Sequence, residues 1–317
     1  MKKNRLISVV LIILMVLTMT SCSSSDDKKY TVDKVVMTYV SAPLNIPSII
    51  EKEQGQFKEV FEKLGLGFEY SDLTSGADQT AAMASGDIQI LNAVGVSSII
   101  LAAANGLDIK ILSMYSKAPG AFCMFANDDS IKTAKDLKGK TIAGPKGTNL
   151  HELLVSYLTK EGMSVEDVNF INMDIPSAVA ALEGKSIDVA LVGGTAAYNC
   201  EQSGKYKITD GVGYISSAIC TAASKEFIDN NPEIIEAFLN TQKELLDYMN
   251  NNHTDVVKIT AGSLGIEEDA IEDMMKLYDF NIEITDEDIK QLQNTEKFLY
   301  DNGMIEEHVD VEQLLNK

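Results

Sequence analysis

The chain is 317 residues long, with 47 acidic residues against 27 basic ones and a formal net charge of −20. That imbalance leaves no basic surface to neutralise phosphates, which excludes nucleic acid as a partner. Arg5 is the only arginine, so a guanidinium clamp on carboxylate, sulfonate or phosphate is excluded beyond it; backbone N–H groups, hydroxyls or a lysine must hold any anion.

Lys2, Lys3 and Arg5 precede an apolar run at 6–17 that is too short for a membrane span, the layout of a secretory signal. The run ends in Leu17-Thr18-Met19-Thr20-Ser21-Cys22. A small residue directly before a cysteine resembles the bacterial lipoprotein signal, although Met19 replaces the usual aliphatic residue. The resemblance implies a signal peptide at 1–21, with Cys22 as the lipid-bearing first residue on the extracytoplasmic face of the cell membrane. The Ser- and Asp-rich segment that follows has too little apolar surface to fold, and 22–33 reads as a lipidated tether. Cleavage removes three cations and no acid, taking the charge from −20 to −23. Roughly 295 residues remain, which suits two cores better than one.

Beyond the tether, short apolar runs alternate with longer amphipathic ones. Strands are expected at 35–40, 88–93, 109–115, 121–126, 141–144, 168–173, 187–192 and 214–222, with helices between most of them. Such alternation predicts an α/β fold of mainly parallel sheets flanked by helices. Ser164-Val165-Glu166-Asp167 has capping-box spacing, and Asn231-Pro232 places a capping side chain before a first-turn proline. Ile234, Ile235, Phe238, Leu239, Leu245, Leu246 and Met249 then give that helix one apolar face. The segment AAMASGDIQILNAVG (81–95) aligns without a gap on AALEGKSIDVALVGG (180–194), as if one β-α-β unit were built twice.

Cys123, Cys200 and Cys220 have no zinc-site spacing, and His151, His253 and His308 are far apart in sequence. No metal, cofactor or catalytic constellation is expected. The acidic stretch at 267–312 reads as solvated helix surface.

Three stretches carry a family resemblance: PSIIEKEQGQF (47–57), DLKGKTIAGPKGTNLHELL (136–154) and ASKEFIDNNPEIIEAFLNTQ (223–242). Their order and spacing resemble the type II periplasmic binding proteins of ABC importers, in the aliphatic sulfonate, taurine and nitrate class, with thiamine-pyrimidine binders as relatives. The resemblance implies two lobes hinged by two crossing strands. The first lobe would span 34–118 and 218–317 and the second 119–217, with crossings near 117–120 and 215–220. It also implies a monomer that captures a small organic ligand in the interlobe cleft and hands it to the ABC permease subunits. Because the family pairs the strands of Cys123 and Cys220 at the hinge, a disulfide between them is conceivable.

The site has a physical rationale of its own. Loops at the carboxyl ends of parallel strands lead into helices whose first turns present free N–H groups and the positive end of the helix dipole. In the loop 144–149, glycines permit close approach, Lys146 offers a counter-charge, and Thr148 and Asn149 offer side chains; Asn149 and Glu152 alternatively form a capping box. The first lobe contributes Ser41, Leu44, Asn45, Ser75, Asn92 and Val94. The second contributes Asp174, Gly194 and Thr195, where the family often has a large aromatic or acidic residue; the small residues here suggest a roomier pocket. Tyr115 and Tyr214 stand near the hinge, where a ring covers a ligand or packs half-buried. His151 reads as a packed or solvent-facing histidine. The ligand class stays broad: an organosulfonate, a carboxylate or a nitrogenous heterocycle. An enzyme of the thiamine- or menaquinone-pathway type on the same scaffold, and a ligand-sensing lipoprotein, are the alternatives.

Overall fold

The computed structural model describes residues 29–42, 44–73 and 75–316; the signal run, Cys22 and most of the tether lie outside them. Val32–Lys317 form one compact unit. It holds two five-stranded sheets. The first contains β1 (Lys34–Thr38), β2 (Gly67–Ser71), β3 (Ile90–Gly95), β4 (Ile109–Ser116) and β10 (Ile219–Ser224), in the order β2-β1-β3-β10-β4. The second contains β5 (Phe122–Ala126), β6 (Thr141–Gly144), β7 (Asn169–Asn172), β8 (Val189–Gly193) and β9 (Tyr206–Asp210), in the order β7-β6-β8-β5-β9.

Each sheet is parallel except for one strand: β10 runs against β3 and β4, and β5 against β8 and β9. The two orders are equivalent position by position, with β3 and β8 at the centre. Both central strands are almost wholly buried apolar runs, as strands covered on both faces must be. The internal sequence echo falls on these strands and the helices that precede them, so the same unit is indeed built twice.

The helices are α1 (Ile46–Gln54), α2 (Gln56–Lys63), α3 (Gly76–Ala84), α4 (Val96–Ala104), α5 (Asn149–Lys160), α6 (Ile175–Glu183), α7 (Thr195–Gln202), α8 (Lys225–Asn230), α9 (Pro232–Asn251), α10 (His253–Leu264), α11 (Glu268–Met275) and α12 (Asp286–Asp301). Ile234, Ile235, Phe238, Leu245 and Met249 form the buried face of α9, as their spacing predicts. Leu292 and Leu299 of α12 join the core of the first sheet.

Several local expectations need correction. β2 and β9 went unpredicted because GFEYS and YKITD are only partly buried edge strands with weak apolar contrast. The strand expected from 214 begins only at Ile219, because Gly213 and Ser217 take positive φ values of 77° and 50° and turn the chain between the sheets. Asn231 does not cap α9: its side-chain amide donates to the Phe227 carbonyl at 3.0 Å and closes α8 instead. The Ser164–Asp167 capping box forms, but on a 3-10 turn.

Two chain crossings connect the sheets, one between β4 and β5 and one between β9 and β10. They run close together: the Ala118 N–H donates to Ser217 Oγ at 2.8 Å, and the Gly211 N–H to the Pro119 carbonyl at 3.1 Å. A third segment braces them, since Lys117 and Asp279 exchange two backbone hydrogen bonds of 2.8 Å. The Lys117 ammonium lies 3.0 Å from Asp288 and 3.4 Å from Asp279. Cys123 and Cys220 sit in different sheets, and the three cysteines of the described residues are free and buried, so no disulfide links the crossings.

Candidate functional site

Four helices open at the carboxyl ends of parallel strands: α1 after β1, α4 after β3, α5 after β6 and α7 after β8. None of the four receives a side-chain cap. In two of them a first-turn donor is met from elsewhere, the Ser48 N–H of α1 by the Tyr115 hydroxyl at 3.0 Å and the Val96 N–H of α4 by the Ala218 carbonyl at 3.2 Å; the positive potential of the helix end remains at all four. By contrast α3 and α6, which follow the edge strands β2 and β7, are capped by Ser75 and Asp174. The other uncapped helices, α2 and α9 to α11, each follow another helix rather than a strand.

The predicted residues separate accordingly. Ser75 Oγ accepts the Asp78 N–H at 3.4 Å and Asp174 Oδ1 the Ser177 N–H at 2.7 Å, so both serve their own helices. Ser41 is half-buried and its carbonyl accepts the Asn45 N–H at 2.9 Å; the Asn45 side chain closes the same turn by donating to the Ala42 carbonyl at 3.0 Å. Leu44 and Val94 are packed inside apolar clusters.

Asn92 and Tyr115 meet Ser48 in a buried network: Asn92 Nδ2 donates to Ser48 Oγ at 3.3 Å, and the Tyr115 hydroxyl lies 2.8 Å from that oxygen. A cavity of about 20 Å³ beside them, bounded also by Pro47 and Gln242, has room for one water. Tyr115 is therefore a core residue of the first sheet, not a ring over a cleft. Tyr214 lies away from the helix openings, 5.4 Å from the Tyr157 ring and beneath the Lys160 ammonium.

In the loop before α5, Gly144 is required by packing rather than by a ligand, because a Cβ there would lie 2.6 Å from Leu191 Cβ. Lys146 is exposed, and its N–H donates to Asn172 Oδ1 at 2.9 Å. The Thr148 hydroxyl donates to the Pro145 carbonyl at 2.8 Å. The capping box between Asn149 and Glu152 does not form: Thr148 is the N-cap and Asn149 the first helical residue, one place out of register. Glu152 instead accepts from Thr295 on α12. His151 packs on Phe170 at 4.8 Å, its Nδ1 accepts the Gly147 N–H at 3.3 Å, and burial beside Lys146 holds it at about 4, so the imidazole is neutral.

Gly194 stands where α7 meets the larger cavity, of about 320 Å³, between α7, β5 and β9 of the second sheet and α11 with its following turn on the first-sheet side; Thr195, the first residue of α7, does not line it. Gly194 lines it at φ 56° and ψ −128°, a backbone conformation reserved for glycine. Ala197 and Tyr198 carry the wall along one face of α7, Cys123 forms its floor, and Tyr278 and Met274 face them from the first-sheet side. Glu201, Lys207 and Asp210 form a polar rim. The volume suits a small organic molecule. Sequence reasoning missed Tyr198, although it follows Gly194 at the i+4 spacing of one helix face; Tyr278 arrives from a distant segment and had no local signal.

The NMT1/THI5-like family profile matches residues 44–255. The chain belongs to the NMT1/THI5-like family. Among its relatives, a putative aliphatic sulfonates-binding protein of Bacillus subtilis is 24% identical over 320 residues, covering 100% of this chain and 95% of the relative. The taurine-binding periplasmic protein of Escherichia coli is 30% identical over 178 residues, 55% of each chain. The NMT1/THI5-like chain also shares its fold with the alkanesulfonate-binding protein of Xanthomonas axonopodis pv. citri bound to MOPS, at a TM-score of 0.81 and 18% identity over 90% of this chain and 98% of that one. The desulfurization enzyme DszB has the same fold at a TM-score of 0.67 and 14% identity, covering 89% of this chain and 96% of that one. The periplasmic-binding-protein architecture expected from the sequence is thus the architecture observed.

Proposed function

We propose that this chain is the extracytoplasmic solute-binding component of an ABC importer, anchored through a lipid on Cys22 and acting as a monomer that delivers a small organic ligand to its permease. The observation that carries this reading is the cavity of about 320 Å³ lined by residues of both halves of the fold and met by the uncapped opening of α7 at Gly194. The names of the sulfonate- and taurine-binding relatives support a ligand with an anionic head, held here by helix N–H groups because the mature chain has no arginine.

An enzyme on this scaffold is disfavoured by the chemistry of the cavity. Its one thiol, Cys123, is pushed up to about 12 by burial and is not a nucleophile at neutral pH. The test is a thermal-shift series with the unlipidated protein against taurine, MES, a short carboxylate and an aminopyrimidine, paired with Ala197→Phe, which adds bulk to the α7 wall of the cavity. The reading expects at least one probe to raise the melting temperature of wild type and not of the variant. If none does, or if a probe is turned over, the solute-binding reading falls.

A further inference from the structure

The first turn of α5 reaches across the seam to α12 through a single side-chain hydrogen bond. The Thr295 hydroxyl donates to Glu152 Oε1 at 3.2 Å. Both residues are buried, at 1% and 5% exposure, and the second carboxyl oxygen, Glu152 Oε2, has no partner. A carboxyl with one neutral donor and an unpartnered oxygen is arranged for the protonated form, because an ionised one would leave a buried charge almost uncompensated.

We propose that Glu152 is a proton-operated latch between the two halves of the protein: the α5–α12 seam closes with Glu152 protonated and loosens when it ionises. The idea rests on the two-lobe binding reading, but its primary test needs no ligand.

The surroundings leave this role to Glu152 alone. Burial raises it to about 7, eased only by the Thr295 hydroxyl. α4, which approaches the Gly147 loop through Leu101, carries no charged side chain, and neither do β5 and β8 behind α5. One turn either side of Thr295 on α12 stand Gln291, Leu292, Phe298 and Leu299. The neighbouring acids of α12 are engaged elsewhere, Glu296 by His308 and the Val309 N–H, and Asp288 by Lys117 and Thr285. On α5 itself His151 is neutral, and Lys146 is exposed in the preceding loop.

The sign follows from linkage. The closed form holds the Glu152 proton up to about pH 7, whereas an open, hydrated carboxyl releases it near its ordinary 4.5. Closure is therefore favoured most at acidic pH. Its equilibrium constant falls by up to about tenfold per pH unit between roughly 5 and 7 and levels off above that.

Small-angle scattering of the ligand-free protein from pH 5 to 8.5 should show an expansion as pH rises. Glu152→Gln should stay compact throughout. Thr295→Val removes the hydrogen bond that holds the seam, so closure weakens and its expansion should move to lower pH. A wild-type profile that is flat, a Glu152→Gln profile that still expands, or a Thr295→Val transition that does not move downward overturns the latch. Repeating the series with taurine separates the two ideas: expansion controlled by Glu152 without any taurine effect keeps the latch and counts against the anionic-ligand reading.

Discussion

The hydroxyl of Tyr115 on β4 lies 2.8 Å from Ser48 Oγ and accepts the Ser48 N–H at 3.0 Å. A side chain on the strand leading out of the first sheet thereby satisfies a first-turn donor of α1. Burial, partly offset by Ser48, keeps this phenol protonated far beyond its ordinary range. Tyr115→Phe leaves a buried N–H and a buried hydroxyl short of a partner and should destabilise the fold by about 1–3 kcal/mol in urea unfolding. Taurine or MES affinity should change little if the ring is a core element; a large loss of affinity with normal stability would return Tyr115 to the ligand site.

Gly144 ends β6 against Leu191 of β8. A Cβ there would sit 2.6 Å from Leu191 Cβ, an atom that cannot move without the strand. Gly144→Ala should cost about 1–3 kcal/mol by overpacking. Gly262→Ala, on α10 with open space around it, should be neutral or slightly stabilising. Equal denaturation midpoints for the two variants would contradict the packing explanation.

Glu51 is fully buried on α1, where it takes the Tyr70 hydroxyl on both oxygens at 2.7 Å and the Phe57 N–H at 3.1 Å. Burial nonetheless lifts it to about 7. Its folded value lies above its unfolded one, so its contribution is greatest at acidic pH and is lost as pH rises through about 7. Global stability should decline from pH 5 to 7.5 by an amount on the order of 3 kcal/mol for this one group. Glu51→Gln should flatten that slope, read from urea midpoints across the range; an unchanged slope would show that the carboxyl ionises freely in the fold.

Cys123, Cys200 and Cys220 are free and buried, and burial raises the ionisation of each. In a Cys22→Ser background, thiol titration of the unfolded, unreduced protein should find three groups. The folded protein at pH 8 should react more than tenfold slower than the denatured chain, because the thiolate is both scarce and inaccessible. A titre of one would indicate a disulfide.

Much of the architecture is legible from periodicity alone. The eight expected strands are present within a few residues, because buried runs such as ILNAVG and VALVG have no solvent-facing alternative. The β2 and β9 edges escaped because their residues satisfy neither a buried nor a cleanly alternating pattern. The α5 loop is legible as a helix opening, but the hydrogen bonds within it differ from those its spacing suggests. Thr148, not Asn149, is the N-cap, and Glu152 turns away from the helix start toward Thr295. Capping spacing tolerates a one-residue slip that only backbone geometry resolves.

The sequence by itself determined the class of fold, the doubled unit, the missing arginine clamp and the helix openings as places to look, since these depend on residues close together in the chain. Only the tertiary structure decided which residues share a wall. Tyr198 meets Tyr278 across a cavity, and Glu152 meets Thr295 across 143 positions of chain. Such pairings are set by how two sheets pack, and packing depends on shape and burial summed over the whole molecule, which no local pattern of residues encodes.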